Sequence, residues 1–260
     1  MIKQNIADGI VLYSFIPRKK WHHYGNNILA LINKESSEVL LIDAGFEDEM
    51  RQVVNDLNSQ SLRISKIIIS HFHDDHMEGL KVVKDAEVFG GGDFQKTLDL
   101  YTQKEQHAIY TPNIKISEPT KLVFGEHLLE ITPLPGHSEC TVIVKINQSF
   151  LHVADEILYS NNGVPLLPAF DGPQTMQRQI NAWEKLNTYE NLNIIPGHGS
   201  MLCPSHLRDD LRNRSSYALA ILNAKGKLTL EEALKDCDIE FLQTNWFDLL
   251  IDGWSEQEND

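Results

Sequence analysis

The sequence is poor in cysteine and has no long apolar run, so it offers no means of stabilisation other than an ordinary hydrophobic core. Its three cysteines, Cys140, Cys203 and Cys237, are widely spaced and form no Cys-x-x-Cys pair, which excludes a disulfide framework and a cysteine zinc ribbon. No run approaches the ~18–20 apolar residues that a membrane span requires, and the first residues lack the apolar stretch of a signal peptide. These absences favour a cytoplasmic protein with reduced thiols and no membrane partner.

Basic residues are also scarce. The 23 Lys and Arg residues are outnumbered by 37 Asp and Glu residues, the formal net charge is −14, and the only compact basic run is Arg18-Lys19-Lys20. Nucleic-acid-binding proteins usually carry a basic stripe, because neutralising phosphates supplies much of the affinity. The charge balance therefore argues against a nucleic-acid partner and favours a small-molecule substrate. It does not indicate an oligomeric state.

The length of the chain bears on what a metal ion would do in it. A protein of 260 residues can bury roughly 70–75% of its unfolded surface, so its core needs no metal or disulfide for stability. A metal site in such a chain is therefore expected to be catalytic rather than structural.

Short β-branched and leucine-rich segments, separated by polar turns, occupy most of the sequence. The predicted strands are 10–16, 27–33, 38–43, 66–70, 86–89, 114–116, 121–124, 128–132, 141–146, 150–155 and 193–195. Apolar residues at helical spacing predict helices over 50–57, 77–84, 94–101, from Pro173 onward, and after residue 205. Two strand-rich halves that each carry helices predict two sheets packed face to face with helices outside.

Three histidines and two aspartates directly follow the predicted strand 66–70. They are His71, His73, Asp74, Asp75 and His76. Two histidines one residue apart at a strand end point to the same side, because strand side chains alternate with period two. The turn that follows lets Asp75 and His76 face a second position nearby. Imidazole suits zinc and iron, and carboxylate adds negative charge for a second cation, although a polar turn remains an alternative for this cluster alone.

Three further potential ligands also follow predicted strands. His137 lies in Pro-Gly-His-Ser, Asp155 ends the strand 150–155, and His198 lies in Pro-Gly-His-Gly. A rigid sheet can aim residues in the loops after its strands at one point. Each of the three is compatible with ordinary turn chemistry when taken alone. Together with the first cluster they predict a metal site.

The order of these motifs resembles that of the metallo-β-lactamase superfamily: His-x-His-x-Asp-His, then Gly-His, a strand-end Asp and a second Gly-His. The resemblance runs from about Asn26 to Gly199, with the strand context matching throughout. It implies an α/β fold, the αββα sandwich of two mixed β-sheets flanked by helices, with a helical C-terminal appendage. The expected organisation is a catalytic domain over 1–204 and an appendage over 205–260 that packs on the same domain.

The resemblance also implies a role for each motif residue. The first metal ion would be held by His71, His73 and His137, the second by Asp75, His76 and His198, and Asp155 would bridge the two. The ions are expected to be divalent, zinc above all, with iron or manganese as alternatives because the ligand set does not fix the metal. Asp43 matches an acidic residue of the family that supports the metal loops by hydrogen bonding, while a helix cap or turn role is equally open.

The function implied is that of a dinuclear hydrolase that attacks a small ester, thioester or lactone with a metal-bridging hydroxide. Asp75 would orient the hydroxide and receive its proton. The true β-lactamases of the superfamily lack an Asp at the position of Asp155, so the resemblance is to the branch of glyoxalase II and the lactonases. The alternatives are a phosphodiesterase or nuclease with the same centre, a mononuclear iron persulfide dioxygenase, and a binding protein that keeps the metal site.

Two roles are open for each of several aromatic and histidine residues near the motifs. Tyr159 lies near the position of a tyrosine found in some lactonases of the family, and either oxyanion binding or core packing would account for it. His22 and His23, beside Trp21 and Tyr24, are expected either on a loop over the site or simply on the surface.

The segment 162–171 is apolar for a loop, and two interpretations of it remain open. It either walls a pocket for a small hydrophobic substrate or anchors the following helix on the sheet. No basic cluster of the kind with which glyoxalase II holds glutathione occurs near the predicted C-terminal helices.

Overall fold

The computed structural model of the chain describes residues 1–19 and 22–257, with side chains through residue 254. The strands are β1 (Ile2–Ala7), β2 (Ile10–Ser14), β3 (Asn27–Asn33), β4 (Glu38–Ile42), β5 (Arg63–Ile69), β6 (Glu87–Gly91), β7 (Ile114–Ile116), β8 (Thr120–Phe124), β9 (His127–Pro133), β10 (Val142–Ile146), β11 (Phe150–His152) and β12 (Asn193–Ile195). The α-helices are α1 (Glu47–Ser59), α2 (Asp74–Met77), α3 (Phe94–Tyr101), α4 (His107–Tyr110), α5 (Pro173–Leu186), α6 (Leu207–Ala224), α7 (Leu230–Ala233) and α8 (Trp246–Gln257). Short 3-10 helices cover Glu78–Lys81, Lys104–Gln106 and Pro204–His206.

The strands form two mixed sheets. The first has the order β1-β2-β3-β4-β5-β6-β7, antiparallel from β1 to β4 and parallel from β4 to β7. The second has the order β12-β11-β10-β9-β8, and only its β11–β12 pair is parallel. Helices connect the parallel strands, as parallel pairing requires a crossover.

Side-chain alternation along the strands divides the interior into three apolar layers. In β3, Leu29 and Leu31 belong to the layer between the two sheets, where they meet residues such as Ile131 and Val144 of the second sheet. The intervening residue, Ala30, belongs to the layer between the first sheet and α1. Both faces of the strand are therefore buried, which explains its continuous apolar sequence.

The third layer covers the outer face of the second sheet. Leu151 and Ile194 of that sheet pack with Trp183 of α5, Tyr217 of α6 and Trp254 of α8. The predicted αββα sandwich with C-terminal helices is confirmed. The boundary at residue 204 stays a prediction, since helices on both sides of it share this one layer.

The structure corrects some predicted elements. β1 was not predicted, because its residues are mostly exposed and its sequence lacks a regular apolar face. The predicted helix 77–84 is reduced to a single α-helical turn and a 3-10 turn, where Gly79 packs directly against the backbone of Ala44. The strand predicted over 150–155 ends at His152, and Ala154 adopts a left-handed conformation with φ of 51°. Among the described residues, no helix combines the length and apolarity needed to cross a bilayer.

Candidate metal centre

All seven predicted ligands meet at one end of the sandwich. His71 follows β5, His137 follows β9, Asp155 follows β11 and His198 follows β12. The remaining three, His73, Asp75 and His76, lie in the turn into α2 and in α2 itself. Both sheets therefore contribute, and the rigid strand ends direct the loops toward one point.

The first group comprises His71, His73 and His137, whose ligand atoms all lie within 4.8 Å of one another. The Nε2 atom of His137 is 3.2 Å from the Nδ1 atom of His73. His71 is fully buried, whereas 20% of the His137 side chain is exposed. This group thus has one closed side and one side open to solvent.

The second group comprises Asp75, His76 and His198, again with ligand atoms within 4.8 Å of one another. The Nε2 atoms of His76 and His198 face each other at 3.2 Å, and Asp75 Oδ2 is 3.3 Å from His198 Nε2. His76 and His198 are both buried. Two imidazole nitrogens at this distance need a proton or a cation between them.

The carboxylate of Asp155 lies between the two groups. Its Oδ2 atom is 3.1 Å from Nε2 of His198 and 3.9 Å from Nε2 of His137, one residue from each group. Its Oδ1 atom is 3.4 Å from Nε2 of His76. Asp155 also joins His71 and His76 in a third potential metal-holding set.

Asp43, beneath the centre, sets the proton positions of two histidines. Its Oδ2 atom accepts hydrogen bonds from Nδ1 of His76 at 2.9 Å and from Oγ of Ser70 at 2.8 Å, and its Oδ1 atom accepts from the Ser70 amide. The Ser70 hydroxyl donates its one hydrogen to Asp43, so toward Nδ1 of His71, at 3.2 Å, it acts as the acceptor. In the neutral imidazoles of His71 and His76, Nε2 is therefore the nitrogen without hydrogen, and it is directed into the centre.

The two Pro-Gly-His turns place glycine where no side chain fits. A Cβ atom on Gly197 would lie 2.2 Å from Oδ1 of Asp155, and one on Gly136 would lie 2.0 Å from Oε2 of Glu156. The second turn is also fixed by Asn27 of β3, whose side-chain amide donates to the carbonyls of Pro196 and Gly199. The first sheet thereby holds a turn of the second.

The buried charges act strongly on the histidines. Burial lowers the pKa of His71 well below its usual value and that of His73 to about 3. Burial also opposes protonation of His198, but the carboxylates of Asp155 and Asp75 outweigh it and raise the pKa of His198 to about 10. The same carboxylates and Asp43 raise the pKa of His76, again against burial. Without metal at neutral pH, the histidines of the first group are neutral, whereas the histidine pair of the second group holds a proton.

A cavity of about 250 Å³ opens beside the first group. His73 and His137 form its floor, and its walls come from the end of α3, the loop before α5, α5 itself and α8. The ring of Tyr101 packs on His73 with 4.3 Å between ring centroids. In the segment 162–171, Ala169 to Asp171 line the cavity, and Leu167 is buried in the third apolar layer together with Met176 of α5.

Tyr24 and His22, in the loop after β2, lie over the centre as one of the two interpretations predicted, whereas His23 is exposed on the surface. Tyr24 contacts the ring of His198 edge-on, with 5.0 Å between centroids, and His22 stacks on Tyr24. Trp21 lies outside the described residues. Tyr159 is buried in the third apolar layer, with the Arg214 guanidinium 5.5 Å above its ring, which supports the packing role.

Several supporting residues carried no sequence signal. Asn26 donates to Oε2 of Glu49 and to the backbone carbonyl of Asp75, and so holds the turn that carries Asp75. Glu156 is buried, accepts from the backbone amide of His137 and has its pKa raised to about 8 by burial. Trp246 reaches the cavity from α8, far along the chain. Each is defined by a tertiary contact that no local pattern encodes.

Comparison with known proteins agrees with the fold and the motif order. The sequence profile of the Metallo-beta-lactamase superfamily matches residues 26–198, about two thirds of the chain. The chain belongs to this superfamily, and the hydrolases among its relatives place it with the metal-dependent hydrolases.

Individual relatives are distant. A metallo-beta-lactamase type 2 of Bacillus cereus is 23% identical over 180 residues, which cover 66% of each chain. A hydroxyacylglutathione hydrolase of Bartonella tribocorum is 26% identical over 231 residues, covering 86% of this chain and 78% of the relative. The solved metallo-beta-lactamase from Pontibacter korlensis is similar with a TM-score of 0.63 and 15% identity, covering 82% of this chain and 99% of that one.

Proposed function

We propose that the chain is a dinuclear metal-dependent hydrolase of a small ester, thioester or lactone. In this proposal the first group (His71, His73 and His137) holds one divalent ion and the second group (Asp75, His76 and His198) holds the other. Asp155 bridges them, and zinc is the expected metal. The position of the Asp155 carboxylate between the two groups is the observation that carries the proposal.

The residues fit such ions chemically. Nε2 of His71 is buried and has no hydrogen-bond partner among the described residues. An unpaired buried polar atom costs about 1–3 kcal/mol, and coordination to a cation would remove that cost. The lone pairs that Asp43 directs inward, and the close approach of His76 to His198, suit the same cations. Imidazole and carboxylate are ligands for zinc, iron and manganese.

Two divalent ions in this centre would supply an activated water at neutral pH and polarise the substrate carbonyl. The chain's own residues position the reacting groups and move a proton. Asp75 has 23% of its side chain exposed against 7% for Asp155, so it is the more solvent-accessible of the two carboxylates. We assign to Asp75 the acceptance of the proton from the attacking water and its return to the leaving group. No serine or cysteine nucleophile is needed.

The substrate class follows from the cavity and the relatives. A volume of about 250 Å³ suits a small molecule rather than a polymer. The hydroxyacylglutathione hydrolase similarity favours a thioester among the candidate bonds. The net charge of −14 argues against a nucleic-acid substrate.

A metal analysis combined with a substrate panel tests this function. The protein reconstituted with zinc, iron or manganese is expected to hold two ions per chain and to hydrolyse at least one of an aryl ester, an acyl-thioester and a lactone. His198→Gln should leave one ion and lower kcat/KM at least about a hundredfold, because half of the electrostatic activation is lost. His206→Gln, at an exposed histidine outside the centre, is the matched control and should behave as the unmodified chain.

The same screen also tests the alternative functions. Hydrolysis of a bis-aryl phosphate alone would indicate a phosphodiesterase, and turnover of a chromogenic β-lactam alone would indicate a lactamase. One iron per chain with oxygen uptake on a persulfide would indicate the dioxygenase. Two bound ions with no turnover of any compound would contradict the hydrolase.

A further inference from the structure

A buried histidine beneath the metal centre has no part in the proposed mechanism. His152, the last residue of β11, is completely buried, and its side chain lies close to Asp43 of the first sheet. Burying an imidazole is unfavourable unless its nitrogens find partners, because both lose their contact with water. A phenyl ring would fill the same space without that disadvantage. The contacts of the two nitrogens therefore indicate why a histidine occupies this position.

Each nitrogen of His152 faces a different group. Nδ1 accepts a hydrogen bond from the backbone amide of Ala154 at 3.4 Å. Because an amide N–H can only donate, the hydrogen of the neutral ring lies on Nε2. Nε2 has no hydrogen-bond partner among the described residues and lies 3.7 Å from Oδ2 of Asp43. Burial lowers the pKa of His152, so the ring is uncharged at neutral pH and adds no charge to the centre.

The hydrogen bond from Ala154 to His152 acts on an unusual turn. Ala154 has a φ of 51°, a left-handed conformation that a residue with a Cβ atom keeps only where its surroundings hold it. His152 binds the amide of Ala154, and the amide of Gly197 donates to the Ala154 carbonyl at 2.6 Å. Asp155 directly follows Ala154, and His198 directly follows Gly197. Two of the proposed metal ligands are therefore adjacent to residues that this turn fixes.

We propose that His152 is a positioning residue of the metal centre, whose Nδ1 holds the left-handed turn at Ala154 and thereby aims the Asp155 carboxylate. The inference rests on the proposed function, since it concerns the residues that would hold the two ions. Oδ2 of Asp155 lies 3.1 Å from Nε2 of His198 but 3.9 Å from Nε2 of His137. A shift of this carboxylate is therefore expected to affect the ion of the second group more than that of the first.

Amide hydrogen exchange on the metal-free full chain tests the contact itself. His152→Phe keeps a ring but removes the acceptor, whereas His152→Asn keeps an acceptor oxygen near the position of Nδ1. The Ala154 amide should exchange about three- to tenfold faster in His152→Phe, as expected for one lost hydrogen bond, and close to the unmodified rate in His152→Asn. His127→Phe, at a buried histidine at the opposite end of β9 from the His137 loop, is the matched control and should leave this rate unchanged.

Zinc binding, measured by competition with a chelator, tests the consequence for the centre. His152→Phe should raise the Kd of the second ion about ten- to a hundredfold and that of the first less than about threefold. His152→Asn should bring the Kd of the second ion back to within about threefold of the unmodified value. His152→Gln, whose longer amide extends toward Asp43 instead of Ala154, should behave as His152→Phe. A general loss of stability would weaken both ions and would not separate the Asn variant from the Gln variant.

The outcomes separate this inference from the proposed function. Unchanged exchange at Ala154 in His152→Phe, or a second ion bound no more tightly by His152→Asn than by His152→Gln, would overturn the inference and leave the hydrolase intact. If His152→Phe does not fold, the comparison of the Asn and Gln variants decides by both measurements. Fewer than two zinc ions in the unmodified chain would count against the dinuclear function, and the exchange rates would still decide whether His152 holds the turn.

Discussion

Asp43 and His76 form a fully buried pair, in which the carboxylate accepts a hydrogen bond from Nδ1 of the imidazole at 2.9 Å. The same carboxylate oxygen binds the Ser70 hydroxyl, which in turn orients His71. One aspartate therefore directs a nitrogen lone pair from each of the two proposed metal-binding groups. Loss of such a supporting carboxylate typically lowers metal affinity ten- to a hundredfold.

Asp43→Asn is expected to weaken metal binding without disrupting the backbone. Asp43 has a φ of 64°, in the left-handed region that Asn also tolerates. The single carbonyl oxygen of Asn cannot accept from the Ser70 amide, the Ser70 hydroxyl and His76 together, so the tautomers are no longer fixed. We expect a ten- to hundredfold rise, roughly, in zinc Kd by competition with a chelator. Asp85→Asn, at an exposed carboxylate, is the control; unchanged affinity in both would contradict this role of Asp43.

Metal binding is expected to release more protons at the second group than at the first. In the metal-free chain His73, with a pKa of about 3, is neutral at pH 7, whereas His198, with a pKa of about 10, is charged. An ion entering the second group must displace that proton, so its affinity rises with pH up to about pH 10. Calorimetry in buffers of different ionisation heat measures the proton count for each ion. Equal counts for the two ions would contradict this charge assignment.

The stability of the metal-free chain is also expected to depend on pH, because protonated His198 is paired with the carboxylates of Asp155 and Asp75. His198 has a folded pKa above its unfolded one, so its ion pairs stabilise the fold fully below the unfolded value near 6.5. That contribution is lost as pH rises through about 10. The Tm of the metal-free protein should therefore fall between neutral pH and pH 10, and loading zinc should remove much of this dependence.

Arg214→Met is expected to destabilise the chain by about 3–5 kcal/mol. The Arg214 guanidinium is buried, pairs with Asp210 at 2.7 Å and donates to the carbonyls of Leu158 and Leu166. Its removal leaves the buried Asp210 carboxylate without its counter-charge and the Leu166 carbonyl without this donor, while the Leu158 carbonyl keeps only the backbone amide of Leu166. Arg212→Met, on the same helix but 55% exposed, should cost less than about 0.5 kcal/mol. Urea unfolding measures both, and similar costs would contradict the role of the buried pair.

A chain cut after residue 204 is not expected to fold as a stable unit. The C-terminal helices supply Leu211, Tyr217 and Trp254 to the layer that also buries Trp183 and Leu151. Their removal exposes the outer face of the second sheet. The truncated protein should be insoluble or bind a hydrophobic dye strongly. A cooperative thermal transition in residues 1–204 alone would instead establish them as an independent domain.

The sequence allowed most of the fold and the composition of the site to be predicted, because both leave local patterns. Strands such as β3 and β12, and α3, were predicted with the bounds the structure shows. The spacing of His71, His73 and His76 is itself local, since one strand end and one turn arrange it. The convergence of His137, Asp155 and His198 on that cluster was inferred from their positions after predicted strands, and their division between two ions from the family resemblance; the structure brings all of them together.

What could not be predicted depends on contacts between distant segments. The reach of Trp246 from α8 to the cavity depends on how the C-terminal helices pack, which no motif records. The support of His137 by Glu156 joins two loops through one buried carboxylate. β1 was missed for a different reason: its pairing with β2 stabilises an exposed edge strand that has no apolar pattern to read.

The hydrogen bonds of Asn27 have a consequence for biosynthesis. This residue is made 169 positions before the carbonyl of Pro196 that its side chain binds, so the amide must remain hydrated while most of the protein is translated. With the ligands assigned as proposed, all residues of the group that ends at His137 are synthesised before His198, the last residue of the other group. The fold that brings either group together also needs the C-terminal helices, so neither site is complete until most of the chain has left the ribosome.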